Sequence, residues 1–311
     1  MLSSYFTKFR SINTKLANFS ASKAFGVFTT GYSFTYTEHP GASRSKPMTE
    51  EKGHPAMGRL DGRTIIITGG ASGIGAAFAH GMAREGANVV IADLDIERAE
   101  QLAAAIGPGA LAVRVDVTDR AAVVTGISAA VERFGRLDAY FNNAGMNTPM
   151  KFLDITEDNF DLLMRVNAQS VLIGTQEAAR QFLKQGGGGK VVNTASIAGR
   201  TGFASFAPYS AAKAAVISLT QAAARSLAQD RITVNGIAPG VVDTPLWIKL
   251  DRDLEAMGEA DSSFASMAGS ILLGRPAVPE DIVPTAIFLA ASDSDYITGQ
   301  IIPIEGGMIL V

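Results

Sequence analysis

Cysteine is absent from all 311 residues, which excludes disulfides, thiolate metal sites and a cysteine nucleophile. Histidine is nearly absent: His39, His54 and His80 are scattered along the chain, and no metal-ligating constellation emerges. Charge of one sign is lacking as well. With 27 basic against 30 acidic residues and a net charge of −3, no global field for nucleic acid or for an anionic membrane exists. No uninterrupted apolar run approaches the roughly 18 residues of a membrane span. What the chain does have is aliphatic bulk, being 47% hydrophobic and only 18% charged. That composition excludes wholesale disorder, and the length is ample for a sizeable core.

The first 59 residues differ from the rest. They carry eight basic residues against three acidic ones, a local charge of +5, which leaves −8 for the remainder. The first 37 have no acid and are rich in Ser, Thr and Phe, and Phe6, Phe9, Leu16 and Phe19 fit one face of a short amphipathic helix beside Lys8 and Lys15. Residues 1–59 are therefore read as an N-terminal extension, expected to be disordered. Two readings stand. In the first, translation begins at Met48 or Met57 and the protein is cytoplasmic. In the second, residues 1–37 are a transit peptide and the protein is mitochondrial.

From Thr64 onward, short β-branched runs alternate with longer Ala-rich stretches. The runs are Thr64–Thr68, Asn88–Ala92, Ala110–Val115, Ala139–Asn142, Lys190–Thr194, Thr233–Ala238 and Gln300–Ile304. Most are continuously apolar, as in a parallel sheet covered on both faces. The stretches Gly75–Glu85, Glu97–Ile106, Arg120–Phe134, Asn159–Lys184, Tyr209–Gln229 and Glu280–Ala291 read as helices. Strict alternation predicts an α/β fold with a doubly wound, Rossmann-type parallel sheet in a single domain over residues 60–311.

The first strand runs into Thr68-Gly69-Gly70-Ala71-Ser72-Gly73-Ile74-Gly75, where a helix begins. Glycines here let the chain turn tightly and let its backbone approach a pyrophosphate, with the helix N-terminus aimed at that anion. The second strand ends in Asp93, 18 residues past Gly75. A carboxylate there accepts both ribose hydroxyls of an adenosine and repels a 2′-phosphate. The glycine turn holds no Lys or Arg to receive such a phosphate, so NAD is expected over NADP. Asp116, with Val117 beside it, follows the third strand as a candidate for the adenine edge.

Tyr209 and Lys213 are four apart, so on a helix they share a face. An ammonium beside a phenol is expected to lower a pKa of about 10, letting the Tyr act as general base on an alcohol or general acid towards a ketone. Ser196 follows an apolar strand at the carboxyl edge, where doubly wound sheets bind ligands, and its hydroxyl can bond a substrate oxygen as charge develops.

The chain from about Leu60 to Val311 resembles the short-chain dehydrogenase/reductase family. The resemblance rests on Thr68-Gly-x-x-x-Gly73-x-Gly75, Asn142-Asn143-Ala144-Gly145, Ser196, Tyr209-x-x-x-Lys213 and Pro239-Gly240, in the family's order and spacing. It implies hydride transfer on a nicotinamide cofactor, with Asn167, Ser196, Tyr209 and Lys213 as the catalytic set and Asn167 holding a proton-relaying water. It further implies cofactor contacts from Gly69, Ser72, Gly73, Ile74 and Gly75, and from Lys213 and Tyr209. Val242 and Thr244 would meet the carboxamide, while Asn143 would either sit beside the ribose or support the sheet. A homotetramer is implied too. Glu305-Gly306-Gly307 departs from the more usual Asp-Gly-Gly.

Residues 246–273 fall where the family carries a lid over the substrate. Asn147, Thr148, Arg200, Thr201 and Phe203 are further candidates for pocket walls. The stretch from Ala238 to Trp247, with Ala215 to Gln221, resembles the sugar-alcohol dehydrogenases of the family, of sorbitol and galactitol type. This implies oxidation of a secondary hydroxyl of a small polyol. A 3-oxoacyl-thioester or other small-ketone reductase is the alternative within the family, and a non-catalytic NAD(H)-sensing protein is the alternative from another class.

Overall fold

The isoleucines of the first strand show how the sheet is built. Side chains on a strand alternate between faces. In β1 (Thr64–Thr68), Ile65 and Ile67 enter one apolar cluster while Ile66 enters the other. Val89 and Ile91 of β2 (Asn88–Asp93) join the first cluster, and Val90 and Ala92 the second. A strand buried on both faces needs apolar residues at every position, which is why β1 reads as a continuous run rather than an alternating one. Each such Ile or Val contributes roughly 1.5–3 kcal/mol by leaving water.

The computed structural model describes residues 58–310. The expectations about residues 1–37, and nearly all of the proposed extension, lie outside that range. After β1 and β2 come β3 (Ala110–Arg114), β4 (Ala139–Asn142), β5 (Gly189–Thr194), β6 (Ile232–Pro239) and β7 (Ile301–Ile304). All pairings are parallel, in the order β3-β2-β1-β4-β5-β6-β7. The fold is thus the doubly wound, Rossmann-type sheet that the alternation predicts. Strand order reverses between β1 and β4, and the crevice at the carboxyl ends there is where such sheets take ligands.

The flanking helices are α1 (Gly73–Arg84), α2 (Ile96–Ile106), α3 (Arg120–Phe134), α4 (Glu157–Met164), α5 (Ser170–Gln185), α6 (Ala207–Leu227), α7 (Pro245–Met257), α8 (Phe264–Ala268) and α9 (Pro279–Ala290). Helices α1 and α9 cover one face, where Phe78 meets Phe141 edge-on with ring centroids 5.6 Å apart. Between the faces runs a buried polar chain. Asn142 donates to Thr175 Oγ1 and Asn193 Oδ1, at 3.2 and 2.8 Å, and Asn193 donates to Thr220 Oγ1 at 2.9 Å. It ties β4 and β5 to α5 and α6 and leaves these amide hydrogens satisfied. No helix among the described residues is long and apolar enough to cross a membrane.

The single long helix expected over Asn159–Lys184 is interrupted. Arg165–Gln169 forms a π turn between α4 and α5, with Ser170 N–H reaching Arg165 O five residues back. Two side chains bond backbone carbonyls in this segment. Asn167 Nδ2 donates to Leu163 O at 3.0 Å and Ser170 Oγ donates to Val166 O at 2.6 Å. Each carbonyl lies four residues back, where an α-helical N–H would have bonded it. Such bulges mark functional sites often enough to direct attention to Asn167.

Candidate active site

Two adjoining cavities open at the carboxyl edge of the sheet. The larger, of about 420 Å³, lies between the glycine turn, β2, β4 and the start of α6. Gly69 and Gly73 both have positive φ, 61° and 51°, which only glycine adopts without strain. Gly75 answers a different demand, because a Cβ there would lie 2.1 Å from Gly69 O and 2.8 Å from Asn143 Nδ2. The helix thus packs directly onto its own entry loop. Ser72, the N-cap of α1, places no side chain over the first turn, so the first-turn N–H groups are left for a ligand. Thr68 Oγ1 donates to Phe141 O at 3.0 Å and accepts from the N–H groups of Asn143 and Ala144, joining the ends of β1 and β4 beneath the cavity.

The donor set fits a dinucleotide. Asp93 lines the cavity at the end of β2, its Oδ2 accepting from Ala71 N–H at 2.9 Å and its Oδ1 from Asp95 N–H at 3.1 Å. These bonds hold the carboxylate at the edge of the glycine turn. Among the described residues, Lys213 is the only cation in the lining. Asp116 is placed differently from Val117. Val117 lines the cavity, whereas the exposed Asp116 carboxylate accepts from Thr118 N–H and Oγ1 in a local turn. Asn143 lines the cavity, and its Nδ2 donates to Thr68 O at 3.0 Å, a bond that supports the sheet.

The smaller cavity, about 120 Å³, is lined by Ser196, Tyr209, Asn147, Phe203, Phe206 and Trp247 among others. Tyr209, Thr194 and Thr244 border both cavities, and Val242 faces only the smaller one. Tyr209 and Lys213 sit in the first two turns of α6, with Lys213 buried and its Nζ donating to Thr194 O at 2.7 Å. Ser196 begins the 3₁₀ turn after β5, its Oγ accepting from Ala198 N–H at 3.1 Å. Of the four expected catalytic residues, Asn167 and Lys213 line the larger cavity, Ser196 the smaller, and Tyr209 both.

The expected lowering of the Tyr209 pKa is not found. Burial raises the phenol above its ordinary value, opposed by hydrogen bonding with the Ser196 side chain. Burial also pulls Lys213 down to about 8. Its ammonium, 5.6 Å from the centre of the Tyr209 ring, turns to Thr194 O instead. Desolvation therefore outweighs the Ser196 hydrogen bond, and the net direction for the phenol is upward.

Asn167 is fully buried. Its Nδ2 donates to Met146 O at 2.9 Å as well as to Leu163 O, and its Oδ1 accepts from Met146 N–H at 3.1 Å. One amide hydrogen and the Oδ1 thus clasp Met146 on the loop after β4 while the other hydrogen ties back to α4, a role the motif did not suggest. Sequence reasoning also missed the aromatic cluster over the smaller cavity. Trp247 of α7 meets Phe206 and Phe264 edge-on, with ring centroids 6.4 and 5.4 Å away. Its signal was the lone Trp inside the expected lid, but the partners come from other segments.

A parallel doubly wound sheet with a glycine-turn cavity, opening onto a Ser–Tyr–Lys constellation, defines an oxidoreductase of the nicotinamide-dependent kind. Comparison with known proteins gives the family. The model described as enoyl-(acyl carrier protein) reductase matches residues 69–309. Sorbitol dehydrogenase of Cereibacter sphaeroides and galactitol 2-dehydrogenase of Agrobacterium fabrum are each 42% identical over 252 residues, covering 80% of this chain and 98% of theirs. Among solved structures, a short-chain type dehydrogenase/reductase from Mycobacterium marinum superposes with a TM-score of 0.74 at 32% identity, over 81% of this chain and 97% of that one. The chain belongs to the short-chain dehydrogenase/reductase family and is an oxidoreductase acting on CH–OH groups.

Proposed function

We propose that the protein oxidises a secondary hydroxyl of a small polyol to a ketone, and runs the reverse reaction, with NAD as its cofactor. The observation that carries this reading is that Ser196 and Tyr209 both face the smaller cavity, while Tyr209 and Lys213 border the larger one. A substrate oxygen held by Ser196 and Tyr209 lies where the two spaces meet. The sugar-alcohol dehydrogenases it resembles favour a polyol over the thioester alternative.

When bound, the nicotinamide supplies the hydride acceptor or donor. This chain's residues handle binding and the proton. In reduction, the Tyr209 phenol gives its proton to the carbonyl oxygen as that oxygen gains charge. In oxidation, the phenolate takes the hydroxyl proton while the C–H leaves as hydride. Ser196 stabilises the charge on the same oxygen. Lys213, held by Thr194 O, supplies positive charge behind the phenol, and Asn167 is a positioning residue that fixes Met146. Gly69, Ser72, Gly73, Ile74 and Gly75 would cradle the pyrophosphate, Val117 would flank the adenine, and Thr244 the carboxamide end.

NAD is favoured over NADP by the anchored Asp93 carboxylate, which repels a 2′-phosphate, and by the lack of any Lys or Arg near it in the lining. The sensor reading has no use for a proton-transfer group, so the assembled Ser196, Tyr209 and Lys213 speak against it. Segment 246–273, carrying α7 and α8, is assigned as the lid, because Leu246, Trp247, Leu250 and Met267 all wall the smaller cavity. Self-association is inferred from exposed apolar residues on α4 and α5 (Phe160, Leu162, Leu172, Leu183) and near the carboxyl end (Leu272, Leu273). A tetramer is the expected result in light scattering.

The test is NADH absorbance during incubation with NAD or NADP and a panel of sorbitol, galactitol, xylitol, a 3-hydroxyacyl thioester and a hydroxysteroid. Turnover of a polyol with NAD is expected. Turnover of the thioester or steroid alone would remove the polyol assignment and keep the oxidoreductase.

A further inference from the structure

Asn147 is buried, 5% exposed, on the loop after β4. Its Oδ1 is sealed from solvent and has no hydrogen-bond partner in the protein. A buried carboxamide in that state is an exception, since nearly all such groups are paired. Its position is not slack either. The residue before it, Met146, is clasped at both its N–H and its C=O by Asn167, and Met150 N–H bonds Ser205 O at 3.1 Å three residues on. The loop is fixed at both ends and the unpaired amide stays in place.

The place is informative. Asn147 lines the same cavity as Ser196 and Tyr209. Thr194, Tyr209 and Thr244 border both cavities, so Ser196 and Asn147 are the hydroxyl- or amide-bearing side chains belonging to the smaller one alone. Its other walls include Phe203, Phe206, Val241, Trp247 and Met267. Ser196 has its task at the reacting oxygen. Within about 120 Å³, a second oxygen that Asn147 could meet must lie close to the first.

We propose that Asn147 is the specificity residue that reads a second oxygen of the substrate on the carbon next to the reacting one, so that the site selects vicinal diols and their α-hydroxyketone products over plain secondary alcohols. This rests on the secondary-alcohol dehydrogenase reading above. The Oδ1 is sealed, so the reading falls to Nδ2, which is not among the sealed atoms and donates to the oxygen of the neighbouring hydroxyl. A substrate without that oxygen leaves the amide unpaired within a closed complex, and discrimination of that origin is large.

The test compares butane-2,3-diol with 2-butanol, measuring kcat/KM with NAD for the wild type, Asn147→Leu and Asn147→Ala, together with the Tm of each protein. The wild type is expected to prefer the diol. Both variants should lower the diol-to-alcohol ratio on the order of 10–100-fold, with an unchanged or raised Tm because an unpaired buried group has gone. The alanine variant serves if leucine does not fit. A ratio unaltered in a folded variant overturns the proposal. So does a fall in Tm with equal loss on both substrates, which marks a structural residue. If the wild type oxidises neither of these alcohols nor any polyol of the panel, the polyol reading falls and this inference with it, whereas an unaltered ratio removes Asn147 alone.

Discussion

The two cavities are built in opposite ways. Around one end of the larger one, the glycine turn and the N-terminus of α1 present backbone groups, and the geometry there comes from residues 69–75, within a few positions of each other. The smaller one is walled by side chains from the loop after β4, the 3₁₀ turn after β5, α6, the turn after β6, and α7 and α8. A site made of backbone serves a cofactor shared across a fold class. A site made of side chains from separate segments can change its substrate without disturbing the sheet. In this chain the difference separates what is generic from what is particular.

Removing the phenol oxygen at the border should have the largest effect. Tyr209→Phe is expected to lower kcat by about 10²–10⁴-fold, the usual contribution of a positioned proton donor, with NADH affinity by fluorescence titration nearly as before. Equal losses in turnover and cofactor binding would mean that the two cavities are not functionally separable. Within the larger cavity, Asp93→Ser should raise kcat/KM with NADP relative to NAD by about tenfold or more, the scale of one lost charge repulsion of roughly 1.4 kcal/mol. A constant ratio would take Asp93 out of the ribose site.

Gly75→Ala examines the backbone construction itself. The added Cβ meets Gly69 O and Asn143 Nδ2, so a loss of about 1–3 kcal/mol of stability is expected in denaturant unfolding, with weaker NADH binding. Unchanged stability would show that the loop can give way.

The smallest effect is a shift in pH profile. Burial raises Tyr209 and Ser196 lowers it. Because oxidation needs the phenolate and reduction the phenol, kcat/KM for oxidation should rise with pH and that for reduction should fall. Ser196→Ala removes the lowering influence, so the rising limb should move to higher pH in addition to the loss of rate. A shift to lower pH would contradict the coupling of the two side chains.

Much of this was legible before folding. The seven strands appear in the sequence nearly at their observed bounds, most plainly β1 and β2, where burial on both faces leaves a continuous apolar run. The glycine turn and Asp93 were legible for a related reason: their chemistry depends on local backbone geometry and on spacing along the chain. The helix over Asn159–Lys184 was misjudged in its middle. Its apolar period continues through Arg165–Gln169, and the π turn found there, with the Asn167 and Ser170 side chains bonded to backbone carbonyls, leaves no trace in that period.

By itself, then, the sequence determined the doubly wound fold and the glycine turn at its carboxyl edge, and it offered Ser196, Tyr209 and Lys213 as candidates for proton handling, since each is written in short spacings and in periodicity. The tertiary structure decided the sign of the Tyr209 shift, the clasp that makes Asn167 a builder of the loop, and the stranding of Asn147 in an apolar cavity. Those depend on desolvation and on which distant side chains arrive or fail to arrive, and burial is a property of the packed molecule that no local pattern carries.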